Sequence, residues 1–299
     1  MPELPDILLY LDALRPRTVG QVLTRAGVVS PFVLGTVDPP IEACEGRRVT
    51  AVDRLGKRFC LDLESGPSMV VHLMVAGRWR WNDDLKSRPP GKIALASFAF
   101  GSRGMLHLVE PSPKKRASIH VHATRDDALA AHGRGGIDVF ACAPDEFARR
   151  LRSGNHTIKR SLTDPELFDG IGNAYSDEIL HAAGVSPVRL TSKLSDEQIE
   201  RLHSTARKVL GDWTDRLRRE FAGRFPGPGD VTAFRPDFAV HGKFNHPCPV
   251  CRTPVQRIRY ADNETNYCPR CQTEGVLLAD RSLSRLLKKD WPRSIDPTE

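Results

Sequence analysis

Four cysteines stand in two tight pairs, Cys248-Pro-Val-Cys251 and Cys268-Pro-Arg-Cys271, separated by sixteen residues. Each pair can grip one side of a tetrahedral ion, and one structural Zn²⁺ is the expected occupant. The alternating stretch Pro254 to Tyr267 between the pairs reads as a hairpin. Cys44, Cys60 and Cys142 lie in apolar-leaning surroundings and read as buried thiols, and the odd total of seven argues against a disulfide framework. Arg252, Arg257, Arg259 and Arg270 decorate the paired-cysteine segment and suit phosphate contact, with a solvated basic face as the alternative.

The other end opens Met1-Pro-Glu-Leu-Pro-Asp6. Proline is small enough for the initiator methionine to be trimmed, which leaves Pro2 as a terminal secondary amine. With an ordinary pKa of about 7.7–8.0, an α-amino group is partly neutral near pH 7 and usable as a nucleophile. Such an amine attacking a sugar carbon can expel a base and form an iminium, which then draws electrons for elimination of phosphate. Glu3 can move protons for that chemistry. A plain helix start is the other reading of Pro2 and Glu3. In the run Phe168 to Tyr175, Gly170 and Gly172 permit a tight turn, and Asn173 is placed to cap a helix over Ala174 to Ala183. Exposed amides at that helix start, with Lys159 and Arg160 on the helix before, would face a nucleic-acid backbone; an ordinary helical hairpin has the same pattern.

The elements that must position these groups fall into two styles. Arg48 to Asp53, Phe59 to Leu63, Ser68 to Met74, Ile93 to Phe100, Gly104 to Val109 and Ala117 to His122 read as strands, preceded by one helix whose Leu4, Ile7, Leu8, Leu11 and Leu14 recur at helical spacing before Pro16. From Asp145 the periodicity is helical, over Asp145 to Arg152, Thr157 to Thr163, Ala174 to Ala183 and Asp196 to Phe221, the last started by Ser195 with Glu197 and Gln198. Glycines in Ala131 to Asp138 mark a connector, and the proline- and glycine-rich Ala222 to Asp237 ends the helical region. The expected domains are 1–130, a hinge over 131–144, 145–240, a finger over 241–275 and a basic tail over 276–299, where Leu283, Leu286 and Leu287 suggest a helix that either packs on the finger or makes an additional DNA or partner contact.

The chain has 299 residues, is 40% hydrophobic and carries a net charge of +7, which favours a polyanionic partner. No apolar run approaches the ~20 residues of a membrane span. Acidic Glu3 and Asp6 stand where a secretory signal would be basic, so a cytoplasmic, nucleoid-associated location is expected.

Taken together, Pro2-Glu3-Leu4-Pro5, the lysine in the turn Leu55-Gly-Lys57-Arg58, the Gly170-Ile-Gly-Asn173 turn and the finger ending Tyr267-Cys-Pro-Arg-Cys-Gln272 resemble the formamidopyrimidine-DNA glycosylase and endonuclease VIII family, in the family's order and across nearly the whole chain. The resemblance implies an α+β multidomain fold: an N-terminal β-sandwich with an N-terminal helix, a helix-two-turn-helix domain and a C-terminal zinc finger. It implies a monomer acting on damaged DNA by base excision followed by β- and δ-elimination, with Pro2 as Schiff-base nucleophile, Glu3 as proton carrier and Lys57 beside the lesion's phosphate. Asn173 matches a phosphate ligand and Glu178 the acidic residue of the following helix.

Four positions depart from the family pattern. Asp6 replaces a glutamate, so its contact is expected to run through water. In the segment from His72 to Gly77, Val75 takes the place of a methionine wedge. Lys115-Arg116-Ala117 replaces Arg-Arg-Phe, leaving Arg116 to enter the gap without an aromatic partner. Asn263 stands for the finger's phosphate-gripping arginine. His72, Val75, Arg116, Lys159, Asn173 and Asn263, with Asp6, are thus the expected DNA-contact set. The altered wedge argues against 8-oxoguanine in duplex DNA, since unstacking costs a few kcal/mol. A damaged- or single-stranded-DNA-binding protein of the same fold, with little glycosylase activity, is the alternative.

Overall fold

The computed structural model describes residues 1–260, 263–290 and 293–295. In chain order the elements are α1 (Leu4–Thr18), β1 (Val22–Val28), β2 (Arg47–Leu55), β3 (Arg58–Leu63), β4 (Ser68–His72), β5 (Arg78–Asn82), β6 (Ala94–Phe100), β7 (Gly104–Val109), β8 (Ser118–His122), α2 (Arg125–His132), α3 (Pro144–Arg152), α4 (Ile158–Thr163), α5 (Asn173–Ala183), α6 (Asp196–Phe221), β9 (Gln256–Tyr260), β10 (Asn263–Tyr267), α7 (Pro269–Thr273) and α8 (Arg281–Leu287). The chain divides into two compact units, Met1–Arg134 with Trp213–Ala233, and Gly135–Asp212 with Phe234–Glu299.

The first unit is a β-sandwich. Its strands run β5-β7-β6-β1-β2-β3-β4-β8, all antiparallel, and β1 pairs with β2 only at Val22↔Arg48 and Leu23↔Arg47, where one half passes into the other. Inward residues of both halves share one core, including Leu23, Phe98 and Leu106 from the first and Val52, Leu61 and Val71 from the second. A run of edge-on ring contacts crosses it: Tyr10 to Phe59 (5.9 Å), Phe59 to Trp79 (6.0 Å) and Trp79 to Phe98 (6.2 Å). Each such pair adds about 0.5–1.5 kcal/mol beyond its buried area. Helix α1 packs against β2. It continues through Pro16 to Thr18, because a proline in the last turn costs only one backbone bond there.

Three elements of this unit escape the sequence pattern: β1, β5 and α2. Helix α2 is capped by Thr124, which accepts from the Asp127 N–H, and buries only Ala128. The last turns of α6 also belong here, because Leu217 and Phe221 pack on Leu9 and Arg218 pairs with Asp12 at 2.7 Å. Helix α6 is thus divided between the two units at Asp212/Trp213.

In the second unit α6 begins with the expected reciprocal cap: the Ser195 N–H donates to Gln198 Oε1 (3.0 Å), and the Gln198 N–H donates to Ser195 Oγ (3.2 Å). The boundary between units falls at Arg134/Gly135, inside the glycine connector. Gly136 serves close packing, since a Cβ there would collide with the Pro165 carbonyl. The finger is the hairpin β9–β10 followed by α7, and α8 packs on β9.

Candidate active site and metal centre

At the amino end Pro2 is buried and Glu3 is 4% exposed, at the N-cap of α1. Asp6, one turn into the helix and equally buried, accepts the Glu3 N–H directly at 3.0 Å. The shorter carboxylate makes this contact within the helix start without a bridging water. Its reach back to the N-cap is that of a capping-box acid, and it fixes the backbone that carries Glu3.

Lys57 occupies the two-residue turn of the β2–β3 hairpin, where Leu55 pairs with Arg58 and Gly56 has φ +60°. Glycine at the first central position supplies the backbone that a tight hairpin of this hand requires. Lys57 acts electrostatically on the Met1 amine, which precedes Pro2 in the untrimmed chain, together with Glu3, Arg78 and Asp6. Burial lowers that ammonium from its ordinary 8.0; Glu3 and Asp6 oppose the shift, and Arg78 and Lys57 reinforce it. Sequence reasoning missed Arg78. Its Nε donates to the Val231 carbonyl at 2.8 Å and its Nη1 to the carbonyls of Val75 and Gly77, so one guanidinium secures two loops of the unit.

Val75 is 55% exposed at the tip of the turn after β4, where Met74 takes a left-handed φ of 53°. Arg116 is exposed on the segment before β8. The buried carboxylate of Glu110, also unforeseen, accepts the N–H groups of Arg116 (2.8 Å) and Ala117 (2.9 Å) and so pins that segment. Ala117 itself is buried, and a Cβ on Gly77 would stand 3.0 Å from its methyl. A phenyl ring in place of this buried methyl would have to displace its neighbours. The substitution Ala117→Phe is expected to cost about 1–3 kcal/mol through overpacking, read as a drop of several degrees in the thermal midpoint; an unchanged midpoint would refute the packing assignment. His72 is half-buried with its Nε2 enclosed and unbonded, and burial, followed by Arg58 and Lys57, pushes it down to about 3.

In the second unit Asn173 is the first residue of α5, and Gly172 is the N-cap. Instead of capping, the Asn173 side-chain amide donates to the Glu264 carbonyl of β10 at 2.9 Å. Lys159 donates to the Asn173 carbonyl (3.1 Å) and pairs with the fully buried Asp177, whose other oxygen bonds His241 Nδ1 at 2.8 Å. Its ammonium thus holds α4 to α5. Glu178 accepts three backbone N–H groups, from Ala239, Val240 and His241, at 2.7–2.9 Å. Asn263 opens β10 opposite Tyr260; its side chain lies outside the described residues.

The four cysteine sulfurs lie within 4.8 Å of one another, with Cys251 to Cys268 at 3.3 Å and Cys248 to Cys271 at 3.9 Å. Ligand bonds of about 2.3 Å around tetrahedral zinc require sulfurs roughly this far apart. Crowding divides the thiols: burial pushes Cys268 up to about 11, while at Cys251 hydrogen bonds from Thr253 and its neighbours outweigh burial and bring it down to about 6. Four thiolates this close need a cation. His181 of α5, kept neutral by burial, sits with Nε2 3.3 Å from Cys248 Sγ and supplies an outer hydrogen bond of the kind that orients metal ligands.

Three family models match consecutive parts of the chain: the formamidopyrimidine-DNA glycosylase N-terminal domain over residues 1–129, the formamidopyrimidine-DNA glycosylase H2TH domain over 139–214, and the zinc finger found in FPG and IleRS over 245–273. A formamidopyrimidine-DNA glycosylase of Thermus thermophilus is 31% identical over 288 residues, covering 92% of this chain and 100% of the relative. The chain belongs to the formamidopyrimidine-DNA glycosylase and endonuclease VIII family. An uncharacterized formamidopyrimidine-DNA glycosylase-like protein of Mycobacterium tuberculosis is 41% identical over 153 residues, 51% of this chain and 94% of that protein. The crystal structure of MutM (Fpg) from Thermus thermophilus superposes with a TM-score of 0.75 at 30% identity, over 92% of this chain and 100% of that one. The sandwich, H2TH region and finger expected from the resemblance are all present.

Proposed function

We propose that this chain excises damaged bases from DNA and cleaves the resulting abasic strand, as a base-excision glycosylase with abasic-site lyase activity. The observation that carries the reading is Pro2 and Glu3, both buried where α1 opens, with Lys57 and Arg78 acting electrostatically on the Met1 amine one residue ahead, in a chain of this family. With Met1 removed, the Pro2 lone pair bonds to C1′ of the damaged nucleotide as the glycosidic C–N bond breaks and the base leaves with a proton. The opened sugar is then held to Pro2 as an iminium. Loss of a C2′ proton feeds electrons into it and expels the 3′ phosphate, and a second elimination expels the 5′ phosphate. Glu3 carries the protons, and Lys57 holds a lesion phosphate. The zinc is structural, and a single chain contains every group the sequence needs.

Val75 and the buried Ala117 leave little to replace a base that has left the stack. The preferred substrates are therefore abasic sites and bases already poorly paired. Duplexes carrying an abasic site, an oxidised pyrimidine or 8-oxoguanine opposite cytosine test this: cleavage at 8-oxoguanine is expected to be at least about tenfold slower than at the abasic site, the kinetic weight of ~1.4 kcal/mol. Equal rates would refute the lesion preference. Tight binding without cleavage of any duplex would instead select the DNA-binding alternative that Ala117 favours.

A further inference from the structure

Three of the chain's ten histidines, none needed by the reaction above, converge in the first unit. Alternation along β8 puts His120 and His122 on one face, and α2, which packs against β4 and β8, brings His132 to it from its last turn. His122 Nε2 and His132 Nε2 are 2.9 Å apart. The His120 ring centroid lies 4.6 Å from that of His132 and 6.4 Å from that of His122. A side chain at Gly35 would overlap the His120 ring, so glycine there is what lets the ring lie where it does.

A single hydrogen can join two imidazoles at this distance. The same distance also suits two ligands at right angles on one cation, because metal–nitrogen bonds of about 2.0–2.1 Å place such nitrogens about 2.9 Å apart. Imidazole favours zinc, copper and nickel over the alkaline-earth ions. Burial, then His120 and Arg58, pushes His132 down to about 4, and burial, then His122 and Arg58, lowers His120. The facing charges are Arg58 of β3 and Arg134 after α2, both cationic, with Asp62 of β3 engaged by Arg125 and Ser68. Repulsion from the two arginines makes the pocket a weaker cation site than the four-thiolate finger.

We propose that His122 and His132, beside His120, whose Nε2 is turned to Ser118 Oγ at 3.2 Å, form a second, reversible two-histidine site for a divalent transition cation of the zinc class. Loading it would fasten the end of α2 to β8, immediately before the glycine connector. The test uses the full chain with its finger zinc in place, dialysed at neutral pH against micromolar Zn²⁺. Elemental analysis should give two zinc ions per chain in the parent and one in the His122→Gln/His132→Gln variant, whose amides can still hydrogen-bond. Cu²⁺ added to the parent should show nitrogen hyperfine structure in its electron paramagnetic resonance spectrum, a readout that needs no variant. One zinc in the parent, a second ion retained by the variant, or a copper spectrum without nitrogen coupling would each overturn the proposal. None of these outcomes depends on glycosylase activity.

Discussion

The Glu3→Gln variant should bind an abasic duplex as tightly as the parent yet cleave it about 10²- to 10⁴-fold more slowly, the range for a positioned general acid–base. Glutamine preserves the shape of the side chain but cannot exchange a proton at this pH. The fold should tolerate it, because Asp6 accepts the backbone N–H of residue 3, which the substitution leaves unchanged. Single-turnover cleavage, measured beside binding by fluorescence anisotropy, separates the two effects. A cleavage rate within a few-fold of the parent would remove Glu3 from the chemistry, and a matching loss of affinity would make its role one of binding.

Cys268→Ser should abolish zinc binding and, with it, most DNA affinity. Cys268 is fully buried, its N–H donates to Gln272 Oε1 at 2.8 Å, and it caps α7. The hairpin and α7 have a small core of Val240, Val255 and two of the cysteines, too little to hold the finger without the ion. In zinc-finger peptides the metal contributes about 10–16 kcal/mol to folding, so loss of one ligand should empty the site and lower affinity at least ~100-fold. Elemental analysis and anisotropy read both. Retained zinc with parental affinity would contradict the structural role given to the finger.

The parts of this site legible in the sequence were those whose chemistry is local. The cysteine pairs declare themselves by spacing, and Pro2 and Glu3 by their place at the chain end. Strands β2, β3, β4, β6, β7 and β8 follow from their apolar runs, whereas β1 buries only Leu23 and Ala26 and its pairing with β6 shifts register, so its seven residues show no clean alternation. Strand β5 carries two arginines among its five residues, and α2 presents a polar surface around a single buried alanine. Arg78, Glu110 and His181 were not legible, because what they do depends on distant partners. Arg78 reaches Val231, 153 positions away, and His181 reaches Cys248, 67 positions away. Lys159 and Asn173 were legible as residues but not as contacts, since Asp177 and Glu264 claim their polar atoms only once α4, α5 and β10 are packed.

The most direct test of the central claim is to trap the methionine-trimmed protein on an abasic oligonucleotide with borohydride and map the reduced adduct by peptide mass spectrometry. The adduct should fall on the Pro2 nitrogen alone and be absent from protein that retains a blocking residue before Pro2. An adduct on Lys57 or another lysine, or trapping undiminished in the blocked protein, would contradict the amino-terminal iminium.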